Sequence, residues 1–151
     1  MVLAAVPALL MGCGGGDEKL SLHSIPTAQS IRVQAQHYEC PVAKEVCFRR
    51  AILVASGRRP VNADTLVQLE LQALLSNRWR RSAGVTSNQF AATSPDGKLF
   101  VTFSTGRGEI LDEQAGQVTW DEKLGSQLEG LTKRGKPALA LTVQAGPDVG
   151  P

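Results

Sequence analysis

Between Val46 and Ser56 the chain reads VCFRRAILVAS, and AILVA is apolar without a break before Gly57. A short aliphatic run closed by glycine predicts a buried strand. GRRPVNAD follows as a turn, and Asn62 or Asp64 can accept a hydrogen bond from the free amides of a first helical turn. A helix is therefore expected over about Ala63 to Asn77. At about 100° per residue, Gln68, Gln72 and Ser76 form a polar stripe. Val67, Leu71, Leu74 and Leu75 lie opposite, widened by Leu66, Leu69 and Ala73. Glu70 falls inside this apolar arc. The expectation is a rim position beside an arginine, and the alternative is a buried acid with a raised pKa.

Residues 79–93, WRRSAGVTSNQFAAT, read as a weaker strand with Trp79 and Phe90 toward the core. Ser94-Pro95-Asp96-Gly97 predicts a turn, since proline presets φ and glycine accepts a positive φ. KLFVTFST, from Lys98 to Thr105, is the returning strand of a hairpin. Beyond Gly106-Arg107-Gly108, Trp120, Leu124, Leu128 and Leu131 recur at helical spacing. Lys133 and Arg134 suit the C-terminal dipole of that helix, and Gly135 can cap it. PALALTV, from Pro137 to Val143, closes the set as a strand. The order strand, helix, strand, strand, helix, strand matches the ferredoxin-like β-α-β-β-α-β plan. The expected fold is thus α+β, a two-layer sandwich with both helices on one face of a four-stranded sheet. The first and third strands would be central, and NQFAAT would lie at an edge.

Val2 to Met11, VLAAVPALLM, is uncharged and apolar. Its length, about ten residues, suits the hydrophobic region of a signal peptide and is too short to span a bilayer. The next residues complete the tetrapeptide Leu10-Met11-Gly12-Cys13, which resembles the lipobox of bacterial lipoproteins. The resemblance covers the first 13 residues only. It implies a diacylglyceryl group on the Cys13 thiol, cleavage just before Cys13, and attachment to the extracytoplasmic face of the cell membrane. No Lys or Arg precedes Cys13, a departure from the basic start of such peptides. GGGDEKLSLHSIPTAQ then reads as a tether spanning about 20 Å by random-coil statistics. The chain accordingly divides into a signal peptide (1–12), a lipidated flexible tether (13–30), a single α+β domain (31–145) and a loose tail (146–151).

With Cys13 assigned to lipid, Cys40 and Cys47 remain, and outside the cytosol an even remainder points to a disulfide. A continuous helix separates residues seven apart by about 10.5 Å and a strand by about 23 Å, whereas a disulfide needs roughly 4.4–6.8 Å between Cα atoms. If the two pair, CPVAKEVC must bend back, and Pro41 fits a helical turn there. Two free thiols are the alternative.

Composition changes the picture little. Hydrophobic residues make up 42% and charged residues 20%, a globular balance. A net charge of +2 gives no reason to expect nucleic acid. His23 and His37 are too few for a typical zinc site, and three cysteines are too few for an iron–sulfur cluster. No phosphate-loop, dinucleotide or GxSxG pattern occurs, so no cofactor and no metal are expected. Asp112/Glu113 and Asp121/Glu122 are sequence neighbours that diverge on a helix and read as solvated surface.

The most suggestive polar feature is Arg78-Trp79-Arg80-Arg81, with Arg58 and Arg59 at the other end of the same helix. Arginines interleaved with Trp can bind phosphate or carboxylate and stack on rings. The plainer expectation makes Trp79 a core anchor and leaves the arginines solvated. The leading functional expectation is a non-catalytic lipoprotein domain that meets an envelope protein or an acidic envelope component through an open sheet face or edge. An envelope enzyme using Glu70, His37 or a backbone oxyanion hole is the first alternative. A structural accessory of an envelope complex is the second.

Overall fold

A computed structural model describes residues 20–40, 47–58, 61–82, 89–105 and 122–146. The strands are β1 (Ile31–Glu39), β2 (Phe48–Ala55), β3 (Arg80–Arg81), β4 (Gln89–Thr93), β5 (Leu99–Ser104) and β6 (Ala138–Ala145). The helices are α1 (Ala63–Ser76) and α2 (Glu122–Lys133). The fold is α+β, but the sheet has six strands in the order β1-β2-β6-β5-β4-β3, with every neighbouring pair antiparallel. This corrects the four-stranded ferredoxin-like expectation. β6 and β5 occupy the centre, so LFVTF is central as expected, whereas AILVA lies one place out, between β1 and β6. β1, IRVQAQHYE, is mostly exposed and forms an edge beyond β2.

The two helices cover opposite faces, not one. Leu66, Val67, Leu71 and Leu74 of α1 cluster with Ala51, Leu53, Val101, Phe103, Leu139 and Leu141, whereas Leu75, expected on the same face, lies beside the Gln68 stripe and is exposed. Leu124, Leu128 and Leu131 of α2 cluster with Ile52, Val54, Ala138 and Ala140. Successive strand residues point to opposite faces, so Leu53 meets α1 while Ile52 meets α2. Coverage on both sides is the reason AILVA carries no polar alternation.

Local chemistry sets the element ends. The Asn62 side chain accepts from the Thr65 amide at 2.7 Å, so Asn62 and not Asp64 caps α1. At the end of α2, the Gly135 amide donates to Thr132 O and the Lys136 amide to Leu131 O, with Gly135 at φ +65. That is a Schellman cap, in which glycine carries the left-handed residue. The β4–β5 hairpin turns at Ser94–Gly97. The Gly97 amide donates to Ser94 O, and Ser94 Oγ both donates to Asp96 Oδ1 and accepts from the Leu99 amide.

Cys40 and Cys47 form a disulfide with their Cα atoms 4.2 Å apart. They are the next pair beyond Glu39 and Phe48, so the bond closes the β1–β2 hairpin. The turn expected at Pro41 lies outside the described residues.

The expected tether is packed against the domain from Leu20 onward. Leu20 and Ile25 are buried in the α1-side core, and Arg49 Nε donates to Leu20 O at 2.8 Å. At the other terminus Gly146 is buried, and its amide donates to Lys98 O, which ties it to the β4–β5 hairpin instead of leaving it in the loose tail.

Candidate functional site

The residues nominated from sequence do not gather into one site. Cys13 and Arg59 lie outside the described residues. Trp79 is 5% exposed and belongs to the α1-side core. Arg78 is exposed, and its φ of 66 makes it the left-handed residue that ends α1. Arg80 and Arg81 are exposed on β3 and pair with Thr93 and Ala92. Arg58 stands before α1, whose 14 residues rise about 20 Å. Arg58 and the Arg78–Arg81 group therefore occupy different ends of the helix.

Glu70 and His37 are also kept apart. His37 is exposed on β1 and pairs with Arg50, on the face that carries Ile52 and α2. Glu70 belongs to α1 on the other face and is 0% exposed. Among the described residues it has no arginine rim partner of the expected kind. Its Oε2 accepts the Ala28 amide at 3.2 Å, so the carboxyl fastens the entering segment to α1. Burial pushes this carboxyl up to about 7, against the smaller downward pull of the Ala28 amide and the Thr27 hydroxyl. Arg50, 1% exposed, lies 5.7 Å from the Phe48 ring centre and 3.9 Å from Glu39 Oε2. It is a buried cation held by a ring and a carboxylate.

The fold builds a different polar concavity, at the end of the sheet where β1 starts, β2 ends and β6 begins. Arg32 pairs with Val54, which places it on the α2 face. The register slips between Val33 and Ala35, so Gln34 sits at a bulge, a device that re-aims side chains at sheet edges. Across from β1, the Schellman cap carries Arg134 and Lys136. Gly130 leaves room beside the Arg134 guanidinium: a Cβ there would lie 3.6 Å from Nη1.

Between these elements lie two adjoining cavities of about 360 and 370 Å³, which share Gln34, Leu131 and Arg134. A broader hollow of about 660 Å³ continues past Ala55 and Pro137 to Arg58 and Asn62. Among the described residues the cavity walls carry four cations, Arg32, Arg58, Arg134 and Lys136, and no carboxylate. Sequence patterning missed this site. Arg32 and Gln34 lie in a strand too polar to stand out, and Arg134 was legible only as a partner of the helix dipole. The alternation Ile31, Val33, Ala35 was the available signal.

Among the described residues, no group of three or more His, Cys, Asp or Glu side chains gathers as a metal site. Among them, too, no helix is long and apolar enough to cross a membrane. No family model matches this chain, and neither curated proteins nor solved structures yield a match.

Proposed function

We propose that this chain is the precursor of an exported lipoprotein, held at the extracytoplasmic face of a membrane by lipid on Cys13, whose domain binds an envelope partner. The carrying observation is Leu10-Met11-Gly12-Cys13 directly behind an apolar stretch of signal-peptide length. The Cys40–Cys47 disulfide supports it, because such bonds persist in oxidising compartments outside the cytosol. Leu20 is fastened to Arg49 only seven residues after Cys13. A lipid on Cys13 therefore holds the packed domain within about 25 Å of its anchor. Binding, as opposed to chemistry, is the role that suits a cationic groove beside an exposed edge strand.

Metabolic labelling with an alkyne fatty acid tests the anchor. The wild-type chain is expected to take the label and Cys13→Ser to lose it, with Cys40 and Cys47 unlabelled in both. Label on both proteins, or on neither, contradicts the proposal.

A further inference from the structure

We infer that the groove between β1 and the C-terminal end of α2 is a binding site for a phosphate group carrying a small organic substituent. Three cations reach it from two independent supports: Arg32 from the edge strand, and Arg134 and Lys136 from the capped turn. The helix dipole accounts for cations at the end of α2. It does not account for Arg32 facing them from a strand, nor for Arg58 in the hollow next door.

Among the described residues, no carboxylate lines the groove. At about 100° per residue, Gln127 and Arg134 fall on the flank of α2 toward β1, while Glu122 and Glu129 lie beyond Ser126 on the exposed side and line neither cavity. Asp64 is exposed in the first turn of α1. Like charges held together around a cavity repel one another, and an anion relieves that repulsion.

Phosphate fits better than a carboxylate. Guanidinium groups match its oxygens in a fork, and cations on separate elements can engage several oxygens at once. Gln34, Gln127 and Ser126 add neutral donors on the same walls. A cavity of about 360 Å³ is on the order of a dozen water volumes. That is more than a bare phosphate fills, and Val54, Leu131 and Pro137 offer apolar wall to a substituent. The same chemistry occurs in soluble phosphate esters and in phospholipid headgroups. Leu20 is held by Arg49, six residues along β2 from Ala55 at the groove end, a separation of about 20 Å.

The inference does not depend on lipid at Cys13, because its test uses the full chain and a soluble ligand. Calorimetric titration with sn-glycerol 3-phosphate in low salt is expected to show saturable binding, with none for glycerol. Arg32→Ala and Arg134→Ala are each expected to weaken it roughly tenfold, the effect of removing one charge-assisted hydrogen bond. Arg81→Ala, outside the groove, leaves it unchanged. Arg32→Gln and Arg134→Gln keep the side-chain stems and replace the alanines if these lower the urea midpoint.

A second arm compares flotation with phosphatidylglycerol–phosphatidylcholine vesicles and with phosphatidylcholine alone. Retention that needs phosphatidylglycerol and is lost in Arg134→Ala assigns the phosphate to a headgroup. Binding of the soluble ester alone assigns it to a soluble ligand. If neither probe binds, or if binding survives the Arg32 and Arg134 substitutions, the inference is overturned.

Discussion

Glu70→Gln separates the charge of this carboxyl from its packing. The Glu70 carboxyl is fully buried and titrates at about 7, against an ordinary value of 4.5. The unfolded chain ionises it near the ordinary value, so the folded state is favoured at low pH. That advantage is fully present below about pH 4.5 and is lost as the pH rises through about 7. At about 1.4 kcal/mol per pKa unit, the loss is on the order of 3 kcal/mol. Glutamine is nearly isosteric, keeps a carbonyl for the Ala28 amide and never ionises. Its amide places a donor where a carboxylate oxygen was, which costs about 1–3 kcal/mol if it finds no acceptor. Urea unfolding of both proteins between pH 4 and 9 measures the difference free of other titrating groups. The variant is expected to gain about 3 kcal/mol on the wild type between pH 4.5 and 8, whatever its starting offset. A difference that stays constant over this range refutes the burial argument.

Reducing the Cys40–Cys47 bond, or replacing both cysteines with serine, is expected to cost about 2–3 kcal/mol by urea midpoint, the loop-closure entropy of so short a ring. An unchanged midpoint places the stability of the hairpin in its ladder alone. Arg78 ends α1 at φ 66, so Arg78→Gly is expected to stabilise by about 1 kcal/mol. Gly135→Ala, at φ +65 with open space around it, is expected to destabilise by a similar amount, roughly 1 kcal/mol. Thermal melts that move both variants the same way contradict these backbone assignments. In Gly146→Ala the new methyl overlaps the Gly97 carbonyl oxygen, and a loss of about 1–3 kcal/mol is expected, with faster hydrogen exchange in the β4–β5 turn.

Several elements were legible because local chemistry alone determines them. Asn62 caps a helix wherever an apolar stripe follows it, and Ser94-Pro95-Asp96-Gly97 turns whatever sheet it joins. The pairing of Cys40 with Cys47 followed from counting thiols once Cys13 was set aside. Strand order and helix placement were less accessible, because both depend on contacts distant in sequence. AILVA did carry the needed signal: an apolar run without alternation is what a strand covered on both faces requires. β1 hid for the opposite reason. An edge strand with exposed Arg32, Gln34, Gln36 and His37 needs little apolar content. Glu70 stood in the apolar arc of α1, but its partner is a backbone amide of Ala28, 42 residues away and without a side-chain signature. The cationic groove joins Arg32 to Arg134 across about a hundred residues, and only the β1–β2–β6 order brings them together.

Lipidation at Cys13 is read out by intact mass spectrometry of the protein extracted from membranes. The chain is expected to begin at Cys13, to lack residues 1–12 and to carry the mass of a diacylglyceryl group on that residue. Its Cys40 and Cys47 should be two hydrogens lighter than their reduced forms. A chain of unmodified mass that retains Met1, or an unmodified product found only in the soluble fraction, would contradict it.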